Sequence, residues 1–120
     1  MIIHPQSDMH TEMGSWMAPS VSSNVAICAG DIGVMNTLWS LYEYFDGVRK
    51  TTDNIIYLMG NHEFYHSEYH TALRIAEDFC KDEGIFLLDQ ELGTENLVIY
   101  GIVFWGSTLW TDFNSNNLNT

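Results

Sequence analysis

The sequence predicts an α/β protein built on a buried parallel sheet, and three observations predict it. Two short, continuously apolar runs rich in β-branched residues, at 25–29 and 55–59, read as strands buried on both faces. Between them Leu38, Leu41, Tyr42 and Phe45 recur at the i, i+3, i+4 and i+7 spacing of one helix face. Each run closes on a glycine and a polar residue, Gly30-Asp31 and Gly60-Asn61, as a strand exit does. Strand, helix and strand in this order form a βαβ unit.

The remaining elements follow from local signals. Asn36 or Thr37 is available as N-cap of the first helix, and Gly47 as its stop. Ser67 can cap a second helix whose apolar face carries Tyr69, Leu73, Ala76, Phe79 and Cys80, with Gly84 placed for a left-handed C-terminal residue. A third strand is expected at 85–88. Residues 97–100 and 102–105 read as two antiparallel strands joined at Gly101, a connection so short that the turn must borrow neighbours. Ile2 and Ile3 open a strand running toward Ser7. Pro5 cannot donate to a ladder, so that strand is expected at an edge or irregular. The Asn-rich stretch 114–120 reads as an interrupted loop.

Composition narrows the function classes. At 120 residues the chain has the size of one domain. Sixteen acidic residues against four basic ones give a net charge of -12, which repels a nucleic-acid backbone and favours cations as partners. Most of these scattered carboxylates are expected to be a solvated surface. Cys28 and Cys80 lack C-x-x-C spacing and read as buried thiols of a reducing compartment. No basic leader and no run of about 20 apolar residues is present, so a cytoplasmic protein without a membrane span is expected.

Chemistry gathers at the strand ends. Polar clusters close three predicted strands: Asp8-Met9-His10, Gly30-Asp31 and Gly60-Asn61-His62-Glu63. In open α/β sheets ligands bind outside the carboxyl ends of the strands, so these clusters are expected to converge. If the first is extended, Asp8 and His10 point the same way while Met9 faces the core. Carboxylate with imidazole suits zinc, iron or manganese. Asp31 has two oxygens with which to bridge two metals about 3.5 to 4 Å apart. Asn61 offers an amide oxygen as ligand, and His62 can protonate a leaving oxygen. Glu63 either orients His62 or completes the turn.

The order of these motifs resembles the calcineurin-like metallophosphoesterase superfamily. The local text is similar to one bacterial and phage branch of it: Ser7-Asp8-Met9-His10-Thr11-Glu12, Ala29-Gly30-Asp31-Ile32-Gly33, Gly60-Asn61-His62-Glu63-Phe64-Tyr65, and the segment from Gly106 to Phe113. The resemblance implies the first half of a layered α/β/β/α sandwich with mixed sheets, a domain over 1–120 that is incomplete at its C-terminus. It implies a hydrolase of phosphomono- or phosphodiesters working through a hydroxide activated by two divalent metals, Mn, Fe or Zn. Asp8, His10 and Asp31 would hold the first metal, Asp31 and Asn61 the second, and His62 would act as general acid. The family completes its site with a later histidine and a Gly-His-x-His box, whereas the last histidine here is His70. The resemblance therefore leaves two alternatives to an active enzyme: a non-catalytic remnant that binds metal weakly, or a site completed by a missing half or by a partner chain docked on an exposed sheet edge.

Two rival patterns are weaker. His62, His66 and His70 would form a metal-binding stripe only on a continuous helix, and Ser67 as N-cap argues against one. Phe104, Trp105, Trp110 and Phe113 could stack bases, but at this net charge core packing is the expectation.

Overall fold

The computed structural model describes residues 1–13 and 21–110. The expected loop at 114–120 and the stretch 111–113, with Phe113, lie outside these residues.

Four strands, β1 (Ile3–Gln6), β2 (Ser23–Ala29), β3 (Thr52–Leu58) and β4 (Phe86–Leu87), pair in parallel in the order β1-β2-β3-β4. The two apolar runs form the central strands, with Val25 opposite Asn54 and Cys28 opposite Tyr57. Their side chains alternate between two cores, as the period of a strand requires. Ala26, Cys28, Ile55 and Tyr57 face helices α1 (Leu38–Arg49) and α2 (Tyr69–Glu83). Val25, Ile27, Ile56 and Leu58 face the other way, toward a hairpin of β5 (Asn96–Ile99) and β6 (Ile102–Trp105). The described residues thus stack helices, parallel sheet and antiparallel hairpin in three layers. Each sheet is of one sense, not mixed, because every connection in the first is a crossover and the second is a single hairpin.

Pro5 sits on β1, an edge strand, where a missing donor costs no ladder bond. Helix α1 departs from expectation: Gly47 lies inside it, and the helix ends at Arg49. Its buried face is Leu41, Tyr44, Phe45 and Val48, while Tyr42 is exposed, since Tyr44 and Val48 complete the stripe beneath which the sheet lies. Helix α2 is capped by Glu68, not Ser67. The Glu68 carboxylate accepts from the backbone N–H groups of His70 and Thr71 at 3.1 and 2.8 Å. Gly84 closes α2 in the left-handed region at φ 69°, its N–H donating to the Cys80 carbonyl. Strand β4 is shorter than expected.

The hairpin turns through Tyr100 and Gly101, both at positive φ, which is the two-residue turn whose twist matches a hairpin. Tyr100 is the borrowed neighbour. Leu97, Ile99 and Phe104 pack inward, whereas Val98, Val103 and Trp105 point outward and are exposed. Trp105 therefore does not join the core as expected, because it shares the outward register with Val103's neighbourhood of solvent-facing residues. Trp110 packs against Phe64 and Tyr69. No helix among the described residues is long and apolar enough to cross a membrane.

Cys28 and Cys80 are both free and buried, and burial pushes both thiols up to about 12. A thiol-exchange reagent at pH 8 is expected to label neither cysteine in the folded chain and both in denaturant. Rapid native labelling of either would contradict this packing.

Candidate metal centre

The carboxyl ends of β1, β2 and β3 lie side by side, and the loops that leave them are tied by backbone hydrogen bonds. The Asp8 N–H donates to the Gly30 carbonyl (3.0 Å), His10 to Asp31 (3.0 Å) and Thr11 to Ile32 (2.7 Å). These bonds join the first two polar clusters, and bonds between Asp31 and residues 62 and 63 bring in the third, as the sequence predicts. The first cluster is not extended, however. Asp8 and His10 have φ of 58° and 48°, and Asp31 has 53°, so all three lie in the left-handed region. Met9 still packs against the core between them. Left-handed backbone on either side of Met9, not strand alternation, aims Asp8 and His10 at one point.

Among the described residues only five other than glycine have positive φ, and three are Asp8, His10 and Asp31. Each such conformation costs about 1 kcal/mol or more and persists only where neighbours enforce it. One ligand atom from each of these three residues lies within 4.8 Å of the other two. His10 Nε2 is 3.7 Å from Asp8 Oδ1. Carboxylate, imidazole and carboxylate form a donor set that fits a first-row divalent cation.

Asp31 is held from both sides. Its N–H donates to Glu63 Oε1 at 2.9 Å, and its Oδ1 accepts from the His62 N–H at 3.0 Å. Gly60 passes so close that a Cβ there would overlap the Asp31 carboxylate, so only glycine permits this approach. Asn61 is exposed and lines a cleft of about 200 Å³ with Asp8, Asp31, Ser107 and Leu109. Its amide nitrogen is 3.4 Å from the Tyr65 hydroxyl. His62 opens a single 3-10 turn (His62–Phe64). Its ring stacks on Tyr65 at 4.2 Å and meets His10 edge to face at 4.5 Å.

Glu63 is the residue whose role sequence reasoning left open. It is fully buried. Oε1 accepts from the N–H groups of Asp31 (2.9 Å) and Gly60 (2.8 Å), and Oε2 from Ile32 N–H (3.0 Å) and the Tyr57 hydroxyl (2.6 Å). It does not orient His62 through its side chain; it joins the exits of β2 and β3. Burial pushes its carboxyl up to about 7, against the pull of its four donors.

Glu12 was also given no role by the sequence. Its Oε1 lies 3.5 Å from Nδ1 of both His10 and His62, and these three residues form a second group close enough to hold a cation. Its signal was its place two residues beyond His10 in an alternating Asp-x-His-x-Glu run. The His62, His66, His70 stripe does not form. Tyr65 is extended, His66 is left-handed, and α2 begins only at Tyr69.

Comparison with protein-family models, curated proteins and solved structures returned no match for this chain.

Two measurements test this geometry. Glu63→Gln keeps the shape but replaces an oxygen that accepts in either protonation state with an amide nitrogen that cannot accept, so a cost of about 2 kcal/mol is expected in urea unfolding at pH 5. The wild-type carboxyl is raised in the folded state, so its contribution is fully present below about pH 4.5 and is lost as pH rises through about 7. The cost should therefore shrink by pH 8, and a cost that grows with pH would contradict the assignment. Asp8→Gly, which relieves a left-handed residue, should leave metal-free stability unchanged or raise it by about 1 kcal/mol while weakening metal binding. Marked destabilisation would show that Asp8 serves the fold.

Proposed function

We propose that the chain is a metal-dependent hydrolase of phosphate esters, related to the calcineurin-like metallophosphoesterases and resembling the leading half of their layered α/β/β/α sandwich. The observation that carries this reading is the meeting of Asp8, His10 and Asp31, from two different strand exits, with all three backbones strained and their donor atoms within 4.8 Å.

The residues present fit a cation. The donor set mixes carboxylate and imidazole, and two polar atoms beside it, Glu12 Oε2 and His62 Nδ1, are buried without a hydrogen-bond partner among the described residues. Asp8, His10 and Asp31 would hold one ion, and Asp31 with Asn61 would contribute to a second. Two divalent cations, Mn, Fe or Zn, would supply Lewis acidity toward phosphoryl oxygens and lower the pKa of water. The chain's own part is to place and to exchange protons. Gly60, His62 and Glu63 pin Asp31, whose carboxylate would help to hold either ion. Asn61, Ser107 and Leu109 border the cleft in which a phosphoryl group would lie. His62, clamped between Tyr65 and His10, would give a proton to the leaving oxygen.

A second reading is a chain that holds a cation without turnover. It is favoured by the thin donor set of the second position, to which the described residues bring only Asp31 and Asn61.

Turnover of aryl phosphate mono- and diesters with added Mn²⁺ separates the two. Activity that is lost in both Asp31→Ala and His62→Ala is expected if this chain assembles a working site. Calorimetric Mn²⁺ binding that Asp31→Ala abolishes, without turnover in any variant, would establish the second reading. Wild-type protein that binds no divalent cation would sink both.

A further inference from the structure

We propose that Glu12 is a positioning residue that holds His10 and His62 together by their Nδ1 atoms, so that Nε2 of each ring is left for the reaction centre. The inference rests on the reading of Asp8, His10 and Asp31 as a metal site.

The two nitrogens of His10 face different carboxylates. Nε2 is 3.7 Å from Asp8 Oδ1, and Nδ1 is 3.5 Å from Glu12 Oε1. The same Glu12 oxygen lies 3.5 Å from His62 Nδ1. Which nitrogen of a neutral imidazole carries the proton is set by the partner of the other, so an acceptor beside both Nδ1 atoms selects the Nδ1–H form in both rings. Metal-binding histidines commonly give their free N–H to such a carboxylate, which fixes the ring and raises its basicity.

The spacing shows how the contacts close. At 3.5 Å they lie a few tenths of an ångström beyond a hydrogen bond. One carboxylate has two oxygens and two donors face it, yet among the described residues Oε2 has no hydrogen-bond partner and neither has the buried Nδ1 of His62. A small rotation of the carboxylate gives each ring its own oxygen. The rest of the clamp is already rigid. Tyr65 stacks on His62 with an interplanar angle of 27°, and His10 meets it at 74°. Glu12 itself rides on a 3-10 turn (Thr11–Met13) anchored by Thr11, which is buried and bonded to Ile32 and to Ser40. With Nδ1–H held by Glu12, His62 takes a second proton at Nε2 and gives that proton to the leaving oxygen, so Glu12 links the cation ligand to the proton donor.

The test is imidazole ¹⁵N NMR of the full chain without metal, at a pH where titration shows both rings neutral. Wild type should show Nδ1–H tautomers for His10 and His62. Glu12→Ala should return both toward Nε2–H with the amide spectrum otherwise preserved, and Glu12→Gln, which keeps one acceptor oxygen, should retain one. A Mn²⁺ titration is expected to show affinity about 10- to 100-fold weaker in Glu12→Ala. Nε2–H tautomers in wild type, or tautomers indifferent to Glu12→Ala, would overturn the proposal. So would a Zn²⁺ titration that metalates Nδ1 of both rings, which would make the cluster a cation site in its own right. Tautomers that depend on Glu12 in a protein that binds no Mn²⁺ would uphold the clamp and sink only the metal reading.

Discussion

A buried carboxylate with four donors around it holds the working end of the sheet together. Glu63 binds the N–H groups of Gly60, Asp31 and Ile32 and the hydroxyl of Tyr57, and so fastens the exit of β3 to the exit of β2 from below. Without it, the buried Ile32 N–H would lose its partner at a cost of about 1–3 kcal/mol, and the half-buried N–H groups of Asp31 and Gly60 would lose theirs as well. The loop from β1 is then laid over this junction by the bonds from Asp8, His10 and Thr11 to the carbonyls of Gly30, Asp31 and Ile32. Everything proposed for the site depends on that order: Glu63 sets Asp31, and Asp31 sets His10.

Rigid support is what makes the strained residues tenable. Asp8, His10 and Asp31 occupy left-handed backbone that offers their side chains no intrinsic advantage. At Asp31 the neighbours that enforce it, Gly60 by close approach and buried Glu63 by hydrogen bonding, lie just past the end of β3. Strain stored beside a well-packed core is typical of positions whose side chains are needed in one direction. The cleft at the rim is small, about 200 Å³, with polar Asp8, Asp31, Asn61 and Ser107 facing apolar Leu58, Met59 and Leu109.

The layering explains where this end of the sheet is open. Helices α1 and α2 cover one face and the β5–β6 hairpin the other, so β2 and β3 are buried on both sides and only their ends reach solvent. Glycine at 60 and polar residues at 8, 10, 31 and 61 occupy those ends. The hairpin's outward residues, Val98, Val103 and Trp105, are exposed. They put an apolar face on a chain of net charge -12.

Strands β2 and β3, both helices and the hairpin were legible in the sequence because each rests on local periodicity: a β-branched run, an i, i+4 stripe, or a glycine where φ must be positive. The convergence of Asp8, His10 and Asp31 was legible too, since parallel strands necessarily bring their carboxyl ends to one side. What local pattern misjudged were the choices between near-equivalent neighbours. Glu68 caps α2 in place of Ser67, Gly47 is carried inside α1, and Trp105 faces out, because packing and register decide these and a single residue's preference is worth only about 1 kcal/mol. Left-handed Asp8 and His10 could not be read at all, because nothing in their own chemistry demands that backbone; bonds to the neighbouring loop impose it. The roles of Glu63 and Glu12 were likewise decided only by tertiary structure. A carboxylate's partners here come from residues about 30 or 50 positions distant, and a one-dimensional pattern carries no record of which donors the fold will bring to it.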